Sequence, residues 1–248
     1  MNALKRKIKS AMTYPIVVLI VTIAATTFML VFIIPTFAKL YADYGGELPA
    51  PTRIVMGISN FVRSKWWLIL GVLFGLFQGF RYYYRTEGGR AKIDKLLLTV
   101  PVLGPVLLKA SIARFTRTLG TLVSSGVPIL EGLEITAKAA GNTVIKDAVM
   151  KTRSSISSGQ TIAEPLRQSE VFPPMVVQMI SVGEETGALD SMLAKVADFY
   201  DEEVDAAVDA MTSVIEPIMI VVMGAVVGGM VVAMYLPIFK LVTVIMSK

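Results

Sequence analysis

The stretch PIVVLIVTIAATTFMLVFIIPTF occupies residues 15–37 and has no charged side chain in 23 residues. As a helix rising about 1.5 Å per residue it is about 35 Å long, enough to cross a hydrocarbon core of about 30 Å. A basic cluster at residues 5–9 precedes it, as in a secretory signal peptide. The apolar part of a signal peptide has only about 7 to 15 residues. The stretch therefore predicts a retained membrane-spanning helix.

Two more apolar runs follow. Residues 66–84 open with Trp66 and Trp67 and close with three tyrosines, the aromatic belts typical of a span. Residues 214–239 carry one ionisable side chain, Glu216, at their start. Lys and Arg concentrate in the N-terminal arm and directly after the second run, so we expect both segments in the cytoplasm.

These runs predict a fold of the all-α class: a polytopic membrane protein with three transmembrane helices and one cytoplasmic bundle of about six helices. The predicted segments are a cytoplasmic basic arm (1–14), transmembrane helix 1 (15–37), a periplasmic loop with an interfacial segment (38–65), transmembrane helix 2 (66–84), a cytoplasmic helical-bundle domain (85–213), transmembrane helix 3 (214–239) and a periplasmic tail (240–248).

The composition argues against most enzyme chemistry. Of the 248 residues 54% are hydrophobic and 17% charged, and the chain has neither cysteine nor histidine. Disulfides, thiolate metal sites and histidine acid–base catalysis are thereby excluded. The sequence lacks a G-x-x-x-x-G-K-[ST] loop, so nucleotide hydrolysis through a P-loop is excluded as well. We predict a protein that is not an enzyme, with no cofactor and no metal site.

The first and third apolar runs look duplicated. A shift of 202 positions aligns Pro15 with Pro217, Pro35 with Pro237 and Phe37 with Phe239. The alternative is that prolines simply collect at the ends of spans. In either case we expect the second proline of each run to end its helix where the helix leaves the membrane.

Residues 90–213 show helical spacing of apolar residues, as at Ile112, Phe115 and Leu119. Ser125-Gly126 is predicted to end that helix, and the glycines from Gly183 to Gly187 to interrupt a later one. Asn142 is placed as an N-cap, and Thr161 with Glu164 as a capping box. Val196, Tyr200, Val204 and Val208 form an apolar stripe, with acidic residues on the opposite face and no Gly or Pro before Pro217. One long helix is predicted to run from the domain into the third span.

Charge divides the domain. Residues 81–153 carry a net charge of +7, and residues 154–213 a net charge of −9. Such a dipole suits docking to a charged partner. Equally, the basic half can reflect nearby anionic lipid and the acidic half a solvated helix face. A hard cation at residues 201–205 is the weaker interpretation, because the spacing of a calcium loop is missing. No nucleic-acid motif accompanies the basic residues.

Small residues recur in two of the predicted spans. Gly71, Gly75 and Gly79 lie four residues apart, as do Gly224 and Gly228, so they can let helices approach closely within the protein or in an oligomer. Glu216 and Pro217 are expected to serve capping or helix packing. The alternative function is a membrane transporter subunit with a substrate or ion site near Glu216.

Several long motifs carry a family resemblance. They are FTRTLGTLVSSGVPILEGL at 115–133, VFPPMVVQMISVGEETGALD at 171–190, FYDEE at 199–203 and Glu216-Pro217. Together they resemble the type II secretion system F-protein family, and within it the type IV pilus inner-membrane platform proteins. Members typically carry two homologous cytoplasmic domains, the first ahead of the first span. The resemblance therefore implies that an N-terminal cytoplasmic domain is missing here.

The resemblance implies a non-enzymatic platform in the bacterial inner membrane, with its N-terminus in the cytoplasm. It would couple a motor ATPase acting in trans to pilin or pseudopilin assembly, in type IV pilus biogenesis or type II secretion. Other expected partners are further inner-membrane components of these systems, membrane lipid and copies of the same chain, but not nucleic acid. The candidate docking or family-motif residues are Arg114, Arg117, Gly126, Pro128, Glu131, Phe172, Pro173, Glu184, Glu185, Gly187, Asp190, Asp201 and Glu202.

Overall fold

The computed structural model describes residues 2–43 and 49–246, and this part of the chain is helical without β-strands. The elements are α1 (Asn2–Phe28), a π-helical turn (Met29–Ile33), α2 (Ile34–Asp43), α3 (Ala50–Arg85), α4 (Glu87–Thr99), α5 (Leu103–Ser124), α6 (Ile129–Ala139), α7 (Thr143–Ser157), α8 (Ala163–Gln168), α9 (Pro174–Thr186) and α10 (Leu189–Met246). The predicted all-α class is confirmed.

The chain divides into two compact units. The bundle unit comprises Met1–Lys9 and Arg81–Met211, and the apolar unit comprises Ser10–Phe80 and Thr212–Lys248. Helix α10 contributes residues to both units without a break, as the sequence predicted.

The bundle unit is built from α4–α9 and the first part of α10 around one hydrophobic core. Ile112, Phe115 and Leu119 of α5 are fully buried, because their helical spacing puts them on one face. Phe115 packs against Phe172 with ring centroids 5.0 Å apart. The predicted stripe of α10 is buried as well, including Val204 at 1% and Val208 at 0% exposure.

Two of three local signals for helix ends are confirmed. The Asn142 side chain accepts the amide of Val144 at 2.8 Å and caps α7. Gly126, with φ +77, ends α5, and the next amide, that of Val127, donates to the Leu122 carbonyl. The capping box at Thr161 and Glu164 is wrong, because α8 begins only at Ala163 and its N-cap, Ile162, has no capping side chain of its own.

The apolar unit presents its hydrophobic side chains outward. Two helices are long and apolar enough to cross a membrane, Lys9–Lys39 and Leu189–Pro237. The second predicted span lies in α3, which is not one of these two long apolar helices. Its tryptophans, Gln78 and Arg81 lower the mean hydropathy of that stretch. That span stays a prediction.

Helices α4 and α5 are long and apolar enough to cross a membrane only when taken together, and they meet at 112°. Helix α5 carries the buried core residues Ile112, Phe115 and Leu119 of the bundle. Because those side chains form a protein core, we assign the pair to the bundle unit.

The prolines do not end their helices as expected. Helical structure continues past Pro35 to Asp43 and past Pro237 to Met246. A proline removes one amide donor without forcing a break when other groups satisfy the freed carbonyl.

The predicted loop at 38–65 is largely helical. Helix α2 runs to Asp43, and α3 begins at Ala50 and bends at Lys65, whose φ and ψ are −120° and 18°. Buried Thr52 and Ser59 anchor this first part of α3 within the apolar unit, which the composition of the segment did not indicate.

Candidate partner-docking surfaces of the bundle

A groove lined by cations runs along the bundle between α4 and α7. It consists of two adjoining depressions of about 790 and 500 Å³ that share Ala91, Thr143 and Asp147. Six basic residues line them, against the two carboxylates Glu87 and Asp147. We call this the basic groove; its cations are Arg85, Arg90, Lys95, Lys138, Lys146 and Lys151.

A buried carboxylate of α4, Asp94, bonds to α7 on the other side of the basic groove, and the sequence did not single it out. Its side chain is 4% exposed and accepts the Thr143 amide at 2.8 Å and the Thr143 hydroxyl at 2.5 Å. The Tyr84 hydroxyl donates to its other oxygen at 3.1 Å. Since Thr143 opens α7, the negative charge also lies at the favourable end of that helix dipole. Asp94 therefore ties α4 to α7 and fixes the groove walls.

Some of the groove cations already have partners. Arg90 lies 3.8 Å from the Asp94 carboxylate. Lys138 donates to Glu134 at 2.9 Å, and this hydrogen bond lowers the pKa of the Glu134 carboxyl. Lys146 and Lys151 are both exposed on α7, and each lines one of the two depressions.

The acidic face of α10 is partly neutralised by α5. One Arg117 nitrogen donates to Asp198 and to Asp201, each at 2.7 Å. These two hydrogen bonds raise the pKa of Arg117, and the bond to Asp201 has the larger effect. Lys109 donates to Glu203 at 2.6 Å. The structure thus brings together two predicted docking residues, Arg117 and Asp201, as an ion pair between helices. Glu202 is exposed on the same helix.

Several motif residues shape turns. Gly126 closes α5, Pro128 is the N-cap of α6, and exposed Glu131 lies in the first turn of α6. Arg114 lies against Gly141, where an added Cβ would meet its guanidinium at 2.5 Å, and the φ of +80 at Gly141 also favours glycine. These residues set the path of the chain between α5 and α7.

Three other motif residues serve the core or the helix ends. Phe172 is buried against Phe115, and Pro173 is the N-cap of α9. The Glu184 carboxylate accepts the Ile162 amide at 2.9 Å and caps α8 from a distance of 22 residues. The capping acid of α8 therefore comes from another helix, which a local sequence pattern cannot reveal.

The turn between α9 and α10 is exposed. Gly187 ends α9 with φ +71, and Glu185 and Asp190 flank it on the surface. The structure brings these three together, and they form a short acidic turn apart from the basic groove. The turn is narrower than predicted, since residues 183–186 are helical.

Residues 115–237 match the profile of the type II secretion system (T2SS), protein F family. The chain belongs to this family. It is 51% identical over 238 residues to type IV pilus assembly protein PilC of Myxococcus xanthus, with 96% of this chain and 57% of that protein covered. Type IV pilus assembly protein TapC of Aeromonas hydrophila is 47% identical over 97% of this chain and 58% of its own length. The predicted family is confirmed.

Secretion proteins of the same family are less similar. Type II secretion system protein F of Pseudomonas aeruginosa is 35% identical over 193 residues, which cover 78% of this chain and 48% of that protein. The chain spans 57 to 59% of the length of the three pilus relatives that it matches at 46% identity or more.

The predicted helix-packing residues of this F-family chain are not brought together. A Cβ added at Gly71, Gly75, Gly79, Gly224 or Gly228 meets nothing within 4 Å among the described residues. Glu216 and Pro217 are exposed on α10. Across residues 2–43 and 49–246, no group of three or more metal-ligating side chains could hold a metal ion.

Proposed function

We propose that this chain is a non-enzymatic platform in the bacterial inner membrane for type IV pilus assembly. Its 51% identity over 96% of its length to a type IV pilus assembly protein carries the proposal. Identity to three type II secretion F proteins is lower, at 32 to 36%, which favours the pilus over a secretion pseudopilus. The outward apolar side chains of α1 and of the second half of α10 support residence in a membrane.

The proposed topology has three spans with the N-terminus in the cytoplasm. Basic residues in the N-terminal arm and after residue 80 support it, because Lys and Arg near span ends are retained on the cytoplasmic side. The bundle unit then lies in the cytoplasm, where a motor ATPase would reach it. The exposed glycines of α3 and α10 leave room for helices of a second copy or of another inner-membrane component.

In this proposal the platform couples the ATPase to pilin subunits through the bundle. The basic groove is the docking surface that we assign to the ATPase, with an acidic segment of that partner as its occupant. Six cations against two carboxylates support this charge preference. Helix α10 supplies both core residues of the bundle and an apolar span, so the docking unit and the membrane unit share one element.

The test is charge reversal inside and outside the groove. Lys146→Glu and Lys151→Glu together should abolish pilus assembly and co-purification of the ATPase, while the protein still inserts in the membrane. The matched control reverses Lys92 and Lys195, two exposed lysines that do not line either depression. Pili at the normal level in the groove variant would contradict docking at this surface.

A further inference from the structure

Two prolines each deprive a carbonyl of its helical donor in the apolar unit. In an α-helix the carbonyl of residue 233 accepts the amide of residue 237, but Pro237 has no amide hydrogen. The hydroxyl of Thr52 in α3 donates to this carbonyl of Ala233 at 2.7 Å. Thr52 is 5% exposed, so the contact is buried.

The same situation recurs in the first apolar helix. In the π-helical turn the Ile34 amide donates to Met29, five residues back, rather than to Leu30. The next residue, Pro35, has no amide to offer to Leu30. The hydroxyl of Ser59, which is fully buried, donates to the Leu30 carbonyl.

The two contacts are related by the shift of 202 residues that aligns the first and third apolar runs. Pro35 and Pro237 are counterparts at the shift of 202 residues, which makes Val31 the counterpart of Ala233. The π-helical turn moves the unpaired carbonyl of the first copy back by one residue, from Val31 to Leu30. Thr52 and Ser59 lie seven residues apart, about two turns, and so share one face of α3.

We propose that α3 is a clasp, in which Thr52 and Ser59 are positioning residues that replace the two amides lost to Pro237 and Pro35. Ala233 is 2% exposed and both hydroxyl residues are buried, so a protein hydroxyl takes the place of water at these carbonyls. One helix therefore holds both proline-containing helices, each at the carbonyl that its proline leaves without a helical donor. This inference does not depend on the partner assigned to the bundle.

A double-mutant cycle tests the clasp in the full chain, purified in detergent. Thr52→Val should lower the midpoint of thermal unfolding by about 2–4 °C. Thr52→Ser, which keeps the hydroxyl, should leave the midpoint unchanged. Pro237→Ala returns an amide to the Ala233 carbonyl. In that background Thr52→Val should lower the midpoint by less than half as much. Ser59→Ala with Pro35→Ala forms the second cycle, with the same expectation.

Matched controls use hydroxyls that bond their own helix. Thr22 donates to Val18 at 2.8 Å and Ser64 donates to Asn60 at 2.7 Å, so Thr22→Val and Ser64→Ala should leave the midpoint unchanged. An equal loss from Thr52→Val with and without Pro237 would overturn the clasp. If Pro237→Ala fails to insert, Thr52→Ser against Thr52→Val decides: equal midpoints overturn the proposal and a retained midpoint for Ser supports it.

Discussion

The two units of this chain use helices in opposite ways. In the bundle unit apolar side chains such as Phe115 and Leu119 point into a core, and the charged residues lie mostly outside. In the apolar unit large side chains such as Phe74 and Ile20 are exposed, at 66% and 59%, and two hydroxyl residues of α3 are buried. The difference reflects the surroundings of each unit. Water drives apolar side chains into a core, whereas hydrocarbon accepts apolar side chains but cannot bond backbone carbonyls.

The difference also predicts which interactions hold each unit together. Burial of apolar surface stabilises the bundle, at about 25 cal/mol per Å² removed from water. That term is absent between helices surrounded by lipid, where close packing and hydrogen bonds remain. Substitutions of the same chemical type should therefore have unequal effects in the two units.

The largest contrast is expected between two phenylalanines. Phe115→Ala empties a fully buried position and should lower the free energy of unfolding of the bundle by about 3–5 kcal/mol. Phe74→Ala removes an exposed ring of the apolar unit and should leave the bundle unchanged. Hydrogen exchange of the amides of α5 and α7 in the detergent-solubilised chain measures both. Similar losses of protection in the two variants would contradict the predicted difference between Phe115 and Phe74.

A second contrast concerns buried and exposed carboxylates. Asp94→Ala leaves the Thr143 amide and hydroxyl without their acceptor and should cost about 2–4 kcal/mol. Asp147→Ala, at an exposed position on α7 in the same groove, should cost less than about 0.5 kcal/mol. Urea unfolding followed by hydrogen exchange at α7 checks the ranking. Equal values would mean that Asp94 does not hold α4 to α7.

The sequence was sufficient for the features that repeat over many residues. The apolar runs predicted the first and third candidate spans, and the spacing of Ile112, Phe115 and Leu119 predicted the buried face of α5. The absence of Gly and Pro from residue 189 up to Pro217 predicted that α10 runs unbroken from the bundle into the third apolar run. Each of these signals is a sum over several turns, so single exceptions do not erase it.

Contacts between distant residues escaped prediction. Asp94 meets Thr143, 49 residues later, and Glu184 caps α8 across 22 residues. The helices continue past Pro35 and Pro237, and the hydroxyls that bond the carbonyls near them, those of Thr52 and Ser59, come from another helix. In each case the deciding partner lies outside the local window that sequence patterns describe.

The acid that caps α8 supplies a third, smaller contrast. Glu184→Gln keeps the shape of the side chain but removes the charge at the N-terminus of α8, and should cost about 1 kcal/mol. Neighbouring Glu185, exposed on the same helix, is the control, and Glu185→Gln should have no measurable effect. Faster exchange of the Ile162 amide in the first variant alone is the expected observation. Unchanged exchange at Ile162 would contradict the cap.

The smallest effect is expected at the ion pairs between α5 and α10. Arg117 is 46% exposed and its partners Asp198 and Asp201 are 69% and 58% exposed, so water screens the attraction. Arg117→Ala should lower the free energy of unfolding by less than about 1 kcal/mol. The loss should shrink at about 1 M salt, where the screening length falls to about 3 Å. Lys195→Ala, an exposed cation of α10, is the control. A loss of several kcal/mol that is insensitive to salt would mean that this surface is buried, against another copy or a partner, when the protein is at work.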